Sequence, residues 1–315
     1  MNPLPGFEFF PSTTVAVDVH QDGQRLDNFL MAQFRILPKT RIYQMIRKGE
    51  VRINGGRAKP VSRIKAGDMV RLPPVKIEKK VAIDIPQSAW DELQPCILFE
   101  NSDFLIIDKP SGLAVHSGSE IPYGVIEVMK TFGHNDFYEL VQRLDRDTSG
   151  LLLIAKSGKV LRELQQADLS RQYSLIAQGN WQNSFSEKIS IITLPLDTEN
   201  RLNGERHVVV SDAGKNAETH FTLIENGPKA SHLQAILKTG RTHQIRVHSA
   251  ASGHPIIGDT RYNPRHKQHH SNRLLLHAEE LSFSLLGESY HFKSPIPHDF
   301  FRVLNQLNGT SSSPY

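Results

Sequence analysis

No apolar run in this chain is longer than five residues, Leu151 to Ala155. A helix crossing a bilayer needs about 20, so an integral membrane protein is excluded. The apolar residues must instead be gathered from short segments into a packed core. With 315 residues, 38% of them hydrophobic and 22% charged, there is enough material for that. Wholesale disorder is excluded on the same ground. The length suits two or three domains, or one large domain with an appendage. The start, MNPLPGFEFF, lacks a basic stretch followed by a long apolar run, so no secretory signal is expected. Cys96 is the only cysteine, which leaves no structural intrachain disulfide and no cysteine zinc site. The expectation is a soluble cytoplasmic protein.

Charge is segregated along the chain. Arg35, Lys39, Arg41, Arg47, Lys48, Arg52, Arg57, Lys59, Arg63, Lys65 and Arg71 face only Glu50 and Asp68 within their own stretch. That stretch carries +9, so with an overall +4 the remainder carries −5. A small basic module joined to a slightly acidic body points to a polyanionic partner, chiefly nucleic acid.

The module's elements can be read. Asp22 is placed to cap a helix carrying Leu26, Phe29, Leu30 and Phe34 at three- and four-residue steps. A second helix follows Pro38, with Ile42, Met45 and Ile46 on one side and Gly49 just past its end. Val51 to Ile53 alternates as a strand, Asn54-Gly55 is a hairpin turn, and Val70 with Leu72 marks a closing strand. The expected division is a tail over 1–18, the basic module over 19–75 and a linker over 76–95 that contains Lys79-Lys80. A second domain over 96–307 and a disordered tail over 308–315 complete it.

In the second domain, Ile97–Phe99, Phe104–Ile107, Leu151–Ala155 and Tyr173–Ala177 read as strands. Thr219 to Leu223 and Leu233 to Leu237 alternate as two more. Ser157 caps a helix to about Leu169, and Thr242 to Ser252 reads as a helix ended by Gly253. Strands outnumber helices and strand–helix–strand units are few. The expected class is α+β with a largely antiparallel, mixed sheet.

Glycine-rich dinucleotide loops, a phosphate-loop lysine and a HExxH motif are all missing. His266, His269 and His270 lie in the polar run RHKQHH without an interleaved carboxylate, which favours a solvated loop over a metal site. Two segments are richer. Gln142 to Gly150, QRLDRDTSG, crowds two carboxylates and two guanidinium groups at the mouth of an apolar strand. It reads either as a salt-bridged turn or as a site with an ionised carboxylate ready to act as nucleophile or base. Gly240 to His248, GRTHQIRVH, runs from a strand end into a helix start. Ile245 and Val247 flank Arg246, so that arginine is partly buried and needs a carboxylate, from Asp145 or Asp147.

Four blocks in order, DKPSGLAVH (108–116), RLDRDTSG (143–150), TGRTHQIRVHSAASGHPIIGD (239–259) and RLLLHAEELSF (273–283), resemble those of the RluA family of pseudouridine synthases. The resemblance covers about Cys96 to Leu307. The basic module is similar to the αL, or S4-like, RNA-binding module shared with a small-subunit ribosomal protein. One position departs from the pattern: Gln142 stands where the family usually has histidine.

The resemblance implies an isomerase that converts specific uridines to pseudouridine in large-subunit (23S) ribosomal RNA or its precursor. It implies no cofactor, no metal, and a monomer acting in the cytoplasm. Asp145 would be the catalytic aspartate, Arg246 its ion-pair partner, and Tyr173 the residue that packs on the uracil. Arg143 would fill the stack left by the flipped base. Lys39, Arg41, Arg47, Lys48, Arg52, Arg57 and Lys59 would contact phosphates. The alternatives at this point are other ribosomal or transfer RNA uridines, a non-catalytic RNA-binding or assembly protein, and a carboxylate-pair hydrolase.

Overall fold

The computed structural model describes residues 7–34, 37–78, 84–118, 121–135, 137–200, 206–265 and 271–309. The chain divides between Ile83 and Asp84 into two units, each with its own core. Arg35, Lys79-Lys80, the RHKQHH histidines and residues 310–315 lie outside the described residues.

In the first unit, strands β1 (Phe7–Phe10) and β2 (Thr13–Ala16) precede helices α1 (Leu26–Gln33) and α2 (Lys39–Arg47). Strands β3 (Arg52–Ile53), β4 (Gly56–Arg57), β5 (Met69–Leu72) and β6 (Val75–Glu78) follow. The helical spacing puts Leu26, Phe29, Leu30, Ile42, Met45 and Ile46 together in one buried core with Val51 and Val70. Asn54 and Gly55 both take positive φ, 48° and 81°, as a tight hairpin turn requires. The small sheet runs β2-β5-β3-β4, and β1 pairs with β6. Thr13–Ala16, expected in a tail, is therefore a strand of this sheet, paired with β5.

Asp22 does not cap α1. Its carboxylate accepts from the Ala66 N–H at 2.8 Å, and α1 begins after Arg25 with no side-chain cap. The first helical N–H groups find other acceptors: Leu26 donates to the Ser62 carbonyl at 2.8 Å and Asp27 to that of Pro60 at 3.1 Å. Backbone from 60–62 satisfies the groups that a capping side chain would otherwise serve.

The second unit begins earlier than the expected linker end. Helix α3 (Gln87–Leu93) buries Leu93 and stacks Trp90 on Phe132 at 6.0 Å. The strands are β7 (Ile97–Glu100), β8 (Phe104–Lys109), β9 (Glu139–Leu140), β10 (Ser149–Ala155) and β11 (Ser170–Gln178). They continue as β12 (Ile189–Ile192), β13 (Leu196–Asn200), β14 (Arg206–Val210), β15 (Thr219–Glu225), β16 (Ala230–Leu237), β17 (Leu276–Leu285) and β18 (Glu288–Lys293). Helices α4 (Val125–Phe132), α5 (Gly158–Gln166), α6 (Gln244–Ala251) and α7 (His298–Asn308) complete it.

One sheet of ten strands runs β12-β15-β16-β11-β17-β10-β8-β7, with β18 on β17 and β9 on β10. Every pairing in it is antiparallel except β10 with β17. The fold is α+β, as expected. The central strands are covered on both faces, which explains the short unbroken apolar runs. Leu152 and Ile154 enter one core cluster, while Leu151, Leu153 and Ala155 enter another, following the two-residue period of a strand.

Ser157 caps α5 by accepting from the Val160 N–H at 3.2 Å. The helix stops at Gln166, short of Leu169, because Ala167 is already extended toward β11. Helix α7 reaches Asn308, whose side chain accepts from the Lys229 and Ala230 N–H groups at 3.1 Å. Among the described residues, no helix is long and apolar enough to cross a membrane.

Candidate active site

The segment feeding β10 is a tight loop held from outside. Thr148 N–H donates to the Asp145 carbonyl at 3.2 Å. Lys109 is fully buried, and its Nζ donates to the carbonyls of Pro110, Leu113 and Arg146, each at 2.9 Å. Ser111 Oγ donates to the Asp147 carbonyl at 2.7 Å and Gly112 N–H to that of Arg146 at 2.9 Å. The 108–116 block thus clamps the loop that carries Asp145. Burial pulls the Lys109 ammonium down to about 7, opposed by the charges of Asp147 and Asp145. Gly150, at φ +104°, lets β10 start flush against β17, because a Cβ there would stand 2.3 Å from the Ala278 carbonyl oxygen.

The other half comes from α6. His243 takes a left-handed conformation, φ 54°, so the helix starts at Gln244 rather than Thr242. Gln244 is buried and fixes this start. Its Oε1 accepts from Arg241 N–H at 3.0 Å and Thr239 Oγ1 at 2.8 Å, while its Nε2 donates to Glu218 O at 3.0 Å. The first turn then delivers Arg246 to the sheet.

Arg246 joins three parts of the chain. Its Nε and Nη2 donate to Asp259 at 2.8 and 2.9 Å, and its Nη1 donates to Asp145 Oδ2 at 3.1 Å. The Tyr262 ring lies 5.1 Å from the guanidinium carbon. Asp259 is fully buried and also accepts from the Arg261 and Tyr262 N–H groups at 2.9 and 3.1 Å. Burial works against the Arg246 charge, but Asp259 and then Asp145 outweigh it and hold the guanidinium above its ordinary value. Burial likewise opposes the Asp259 charge, and hydrogen bonding to Arg246 overrides it, so the carboxyl lies below the usual range.

Asp145, with 27% of its side chain exposed, faces a cavity of about 330 Å³. The cavity is lined by residues from both signature segments, among them Gln142, Arg143, His243 and Ile245, and by Tyr173 of β11. Tyr173 is buried on β11, beside Ala278 of β17. Burial pushes its phenol up to about 12, opposed by the Arg171 charge and helped to a lesser degree by that of Asp145. His243 Nε2 lies 3.7 Å from Asp145 Oδ2, and its Nδ1 is 2.7 Å from the Tyr262 hydroxyl. Burial, helped by the charges of Arg246 and Arg261 and opposed by that of Asp145, brings His243 down to about 4, so its imidazole is neutral.

Asp145, Tyr173, Arg143 and Arg246, each picked out in the sequence, therefore border one cavity. Arg143 is exposed and forms no ion pair with Asp145 or Asp147. Asp147 pairs with Arg146 at 3.0 Å instead of reaching Arg246. The main partner of Arg246 is Asp259, which sequence reasoning missed. Its one signal is a carboxylate closing the GHPIIGD run, one glycine after an apolar pair. Tyr262 and Lys109 were missed too, since a lone lysine before proline carries no periodicity.

The predicted phosphate contacts belong to the first unit. Lys39, Arg47, Lys48, Arg57 and Lys59 are exposed, while Arg41 is held by Glu50 at 3.2 Å. Arg52 stands directly opposite both Arg57 and Arg71 across the sheet. Like charges placed opposite one another destabilise a sheet, and an anionic partner relieves that cost.

The sequence profile described as RNA pseudouridylate synthase matches residues 103–251, and that of the S4 domain matches residues 24–70. The ribosomal large subunit pseudouridine synthase C of Vibrio vulnificus is 44% identical over 308 residues, covering 92% of this chain and 96% of that protein. The protein of the same name from Pasteurella multocida is 39% identical over 95% of both chains. The chain belongs to the RNA pseudouridylate synthase family. A solved structure, human RNA pseudouridylate synthase domain containing 4, aligns with a TM-score of 0.56 at 20% identity over 70% of this chain and 95% of that one. That likeness bears on the fold alone. In this synthase the matched span holds Asp145, Tyr173, Arg143 and Arg246, while Asp259 and Tyr262 lie just beyond it.

Proposed function

We propose that this synthase converts uridines of large-subunit ribosomal RNA to pseudouridine, with Asp145 as the reacting carboxylate. The observation that carries the reading is the placement of Asp145. It opens on a cavity of ligand size while Arg246, itself locked by Asp259, holds its orientation. The relatives' names supply the RNA class.

The reaction breaks the bond between ribose C1′ and uracil N1, turns the base, and forms the bond from C1′ to C5. The C5 proton leaves and N1 gains one, so atoms and electrons balance without a cofactor. Asp145 acts on the nucleotide at the cavity mouth. Tyr173 stays a neutral phenol at pH 7, because burial raises it to about 12. It packs against the uracil and can take the C5 proton only while passing on its own. Arg143, exposed at the rim and without an ion-pair partner among the described residues, can enter the stack vacated by the flipped base.

The unit through Ile83 supplies phosphate contacts, and the unit from Asp84 supplies the chemistry. The described site is complete within one chain, which fits action as a monomer, and a ribosomal RNA substrate fits the cytoplasm. Pseudouridine mapping of ribosomal RNA from cells lacking the protein tests the reading. Specific sites should disappear, return with the wild-type chain, and stay absent with Asp145→Asn. A map unchanged by the deletion overturns it.

A further inference from the structure

A second cavity, of about 380 Å³, adjoins the first. It lies where the end of α5, the start of β11 and the end of β16 meet, and it shares Val141, Gln142, Arg171 and Leu237 with the Asp145 cavity. Two residues of that shared wall each carry a buried atom with no hydrogen-bond partner among the described residues: Gln142 its Oε1, an acceptor, and Arg171 its Nε, a donor. Arg171 also has no carboxylate partner among them, although its charge is felt by Tyr173. Gly240 leaves room for it, since a Cβ there would stand 3.2 Å from Arg171 Nη1. Lys238 and Asp168 are both exposed on the same cavity, and their opposite charges offset, leaving Arg171 as its net cation.

Buried polar atoms without partners are uncommon, and each calls for an explanation. Here the two requirements are complementary and adjacent to the reacting pocket. The group that fits must accept from a guanidinium and donate to an amide oxygen. A ribonucleotide linkage carries both, because its phosphodiester accepts and the neighbouring 2′-hydroxyl donates. We propose that the second cavity is a nucleotide subsite for the residue next to the flipped uridine, with the connecting phosphodiester on Arg171 and the adjoining 2′-hydroxyl on Gln142. This rests on the reading of the first cavity as the uridine pocket. The chain would then read the RNA backbone at the target as well as through its basic module. It would also distinguish ribose from deoxyribose at one position. Gln142 suits that task because a neutral amide offers its oxygen as an acceptor at any ordinary pH.

The test uses the full chain and three dinucleotide probes followed by NMR titration. The probes are UpU, UpU with an uncharged methylphosphonate linkage, and UpU with 2′-deoxyribose on the 5′ side. Wild type should bind UpU about tenfold or more tightly than the methylphosphonate, and about threefold or more tightly than the deoxy analogue. Arg171→Met should bind UpU weakly and lose the first difference. Gln142→Leu should lose the second. Equal wild-type affinity for UpU and the methylphosphonate overturns the subsite, as does a methylphosphonate penalty undiminished in Arg171→Met. A deoxy penalty undiminished in Gln142→Leu overturns the hydroxyl assignment alone. Wild type that forms no pseudouridine in ribosomal RNA transcripts overturns the functional reading instead, and the dinucleotide differences are scored independently of that result.

Discussion

Asp259 grips Arg246 with both carboxylate oxygens, at 2.8 and 2.9 Å, and leaves only Nη1 to reach Asp145 at 3.1 Å. The carboxylate facing the cavity is thus positioned by a guanidinium that another carboxylate has already immobilised. A flexible arginine could follow Asp145 as it moved, but this one cannot. Its plane is set by the two-point grip and by the Tyr262 ring beside it.

Asp259→Asn should therefore harm turnover without touching RNA affinity. Removing one charge of a buried pair costs about 3–5 kcal/mol, so the melting temperature should fall as well. Single-turnover rate should drop by about a hundredfold if the guanidinium shifts by an ångström or so. A normal rate in a folded Asp259→Asn protein would separate Asp259 from the site.

Asp145→Asn keeps shape and removes charge. Isomerisation should fall by at least about a thousandfold, with RNA binding nearly unchanged. Asp147→Asn should be far milder, because Asp147 meets Arg146 at the surface. Tritium release from labelled uridine measures both, and equal losses would contradict the assignment.

Arg143→Ala should show its effect through RNA structure. Extruding a paired base costs a few kcal/mol, and a base that is already unpaired costs less. Single-turnover rates should drop by about tenfold or more on a structured target and much less on the same sequence presented as a single strand. The same loss on both substrates would rule out a role in flipping.

Deleting residues 1–83 removes one whole unit and leaves the other with its own core. The truncated chain should fold and bind ribosomal RNA more weakly. Its plot of log affinity against log salt should be shallower by roughly 0.7–0.9 for each phosphate that is no longer neutralised. A salt titration of both chains decides this, with an unchanged slope counting against RNA binding by the module.

Buried His232 should make the protein acid-labile. Burial lowers it to about 4 from an ordinary 6.5, with Ser174 Oγ 2.6 Å from its Nε2. Below 6.5 the unfolded chain binds a proton that the folded one refuses. Stability should thus fall as pH drops from 6.5 toward 4. Urea unfolding at stepped pH reads the effect. His232→Asn should reduce the proton uptake in that window by about one.

The sequence alone determined the elements whose periodicity is strong. Leu26, Phe29 and Leu30 fall at helical spacing and are buried, and LLLIA is a central strand because only a strand covered on both faces is apolar throughout. It also pointed to Asp145, Arg246 and Arg143, because four blocks keep their order and charged groups crowd there, and to Tyr173 through the resemblance alone. It did not reveal α4, whose eight residues give barely two turns of pattern, or β17, whose apolar alternation is interrupted by Glu279 and Glu280. Tertiary structure alone decided that Asp259 and not Asp147 grips Arg246, that Lys109 clamps the Asp145 loop, and that backbone 60–62 replaces a cap on α1. Periodicity reports which face of an element is buried. Partners across loops follow from how several elements pack at once, and no local spacing in the chain encodes that.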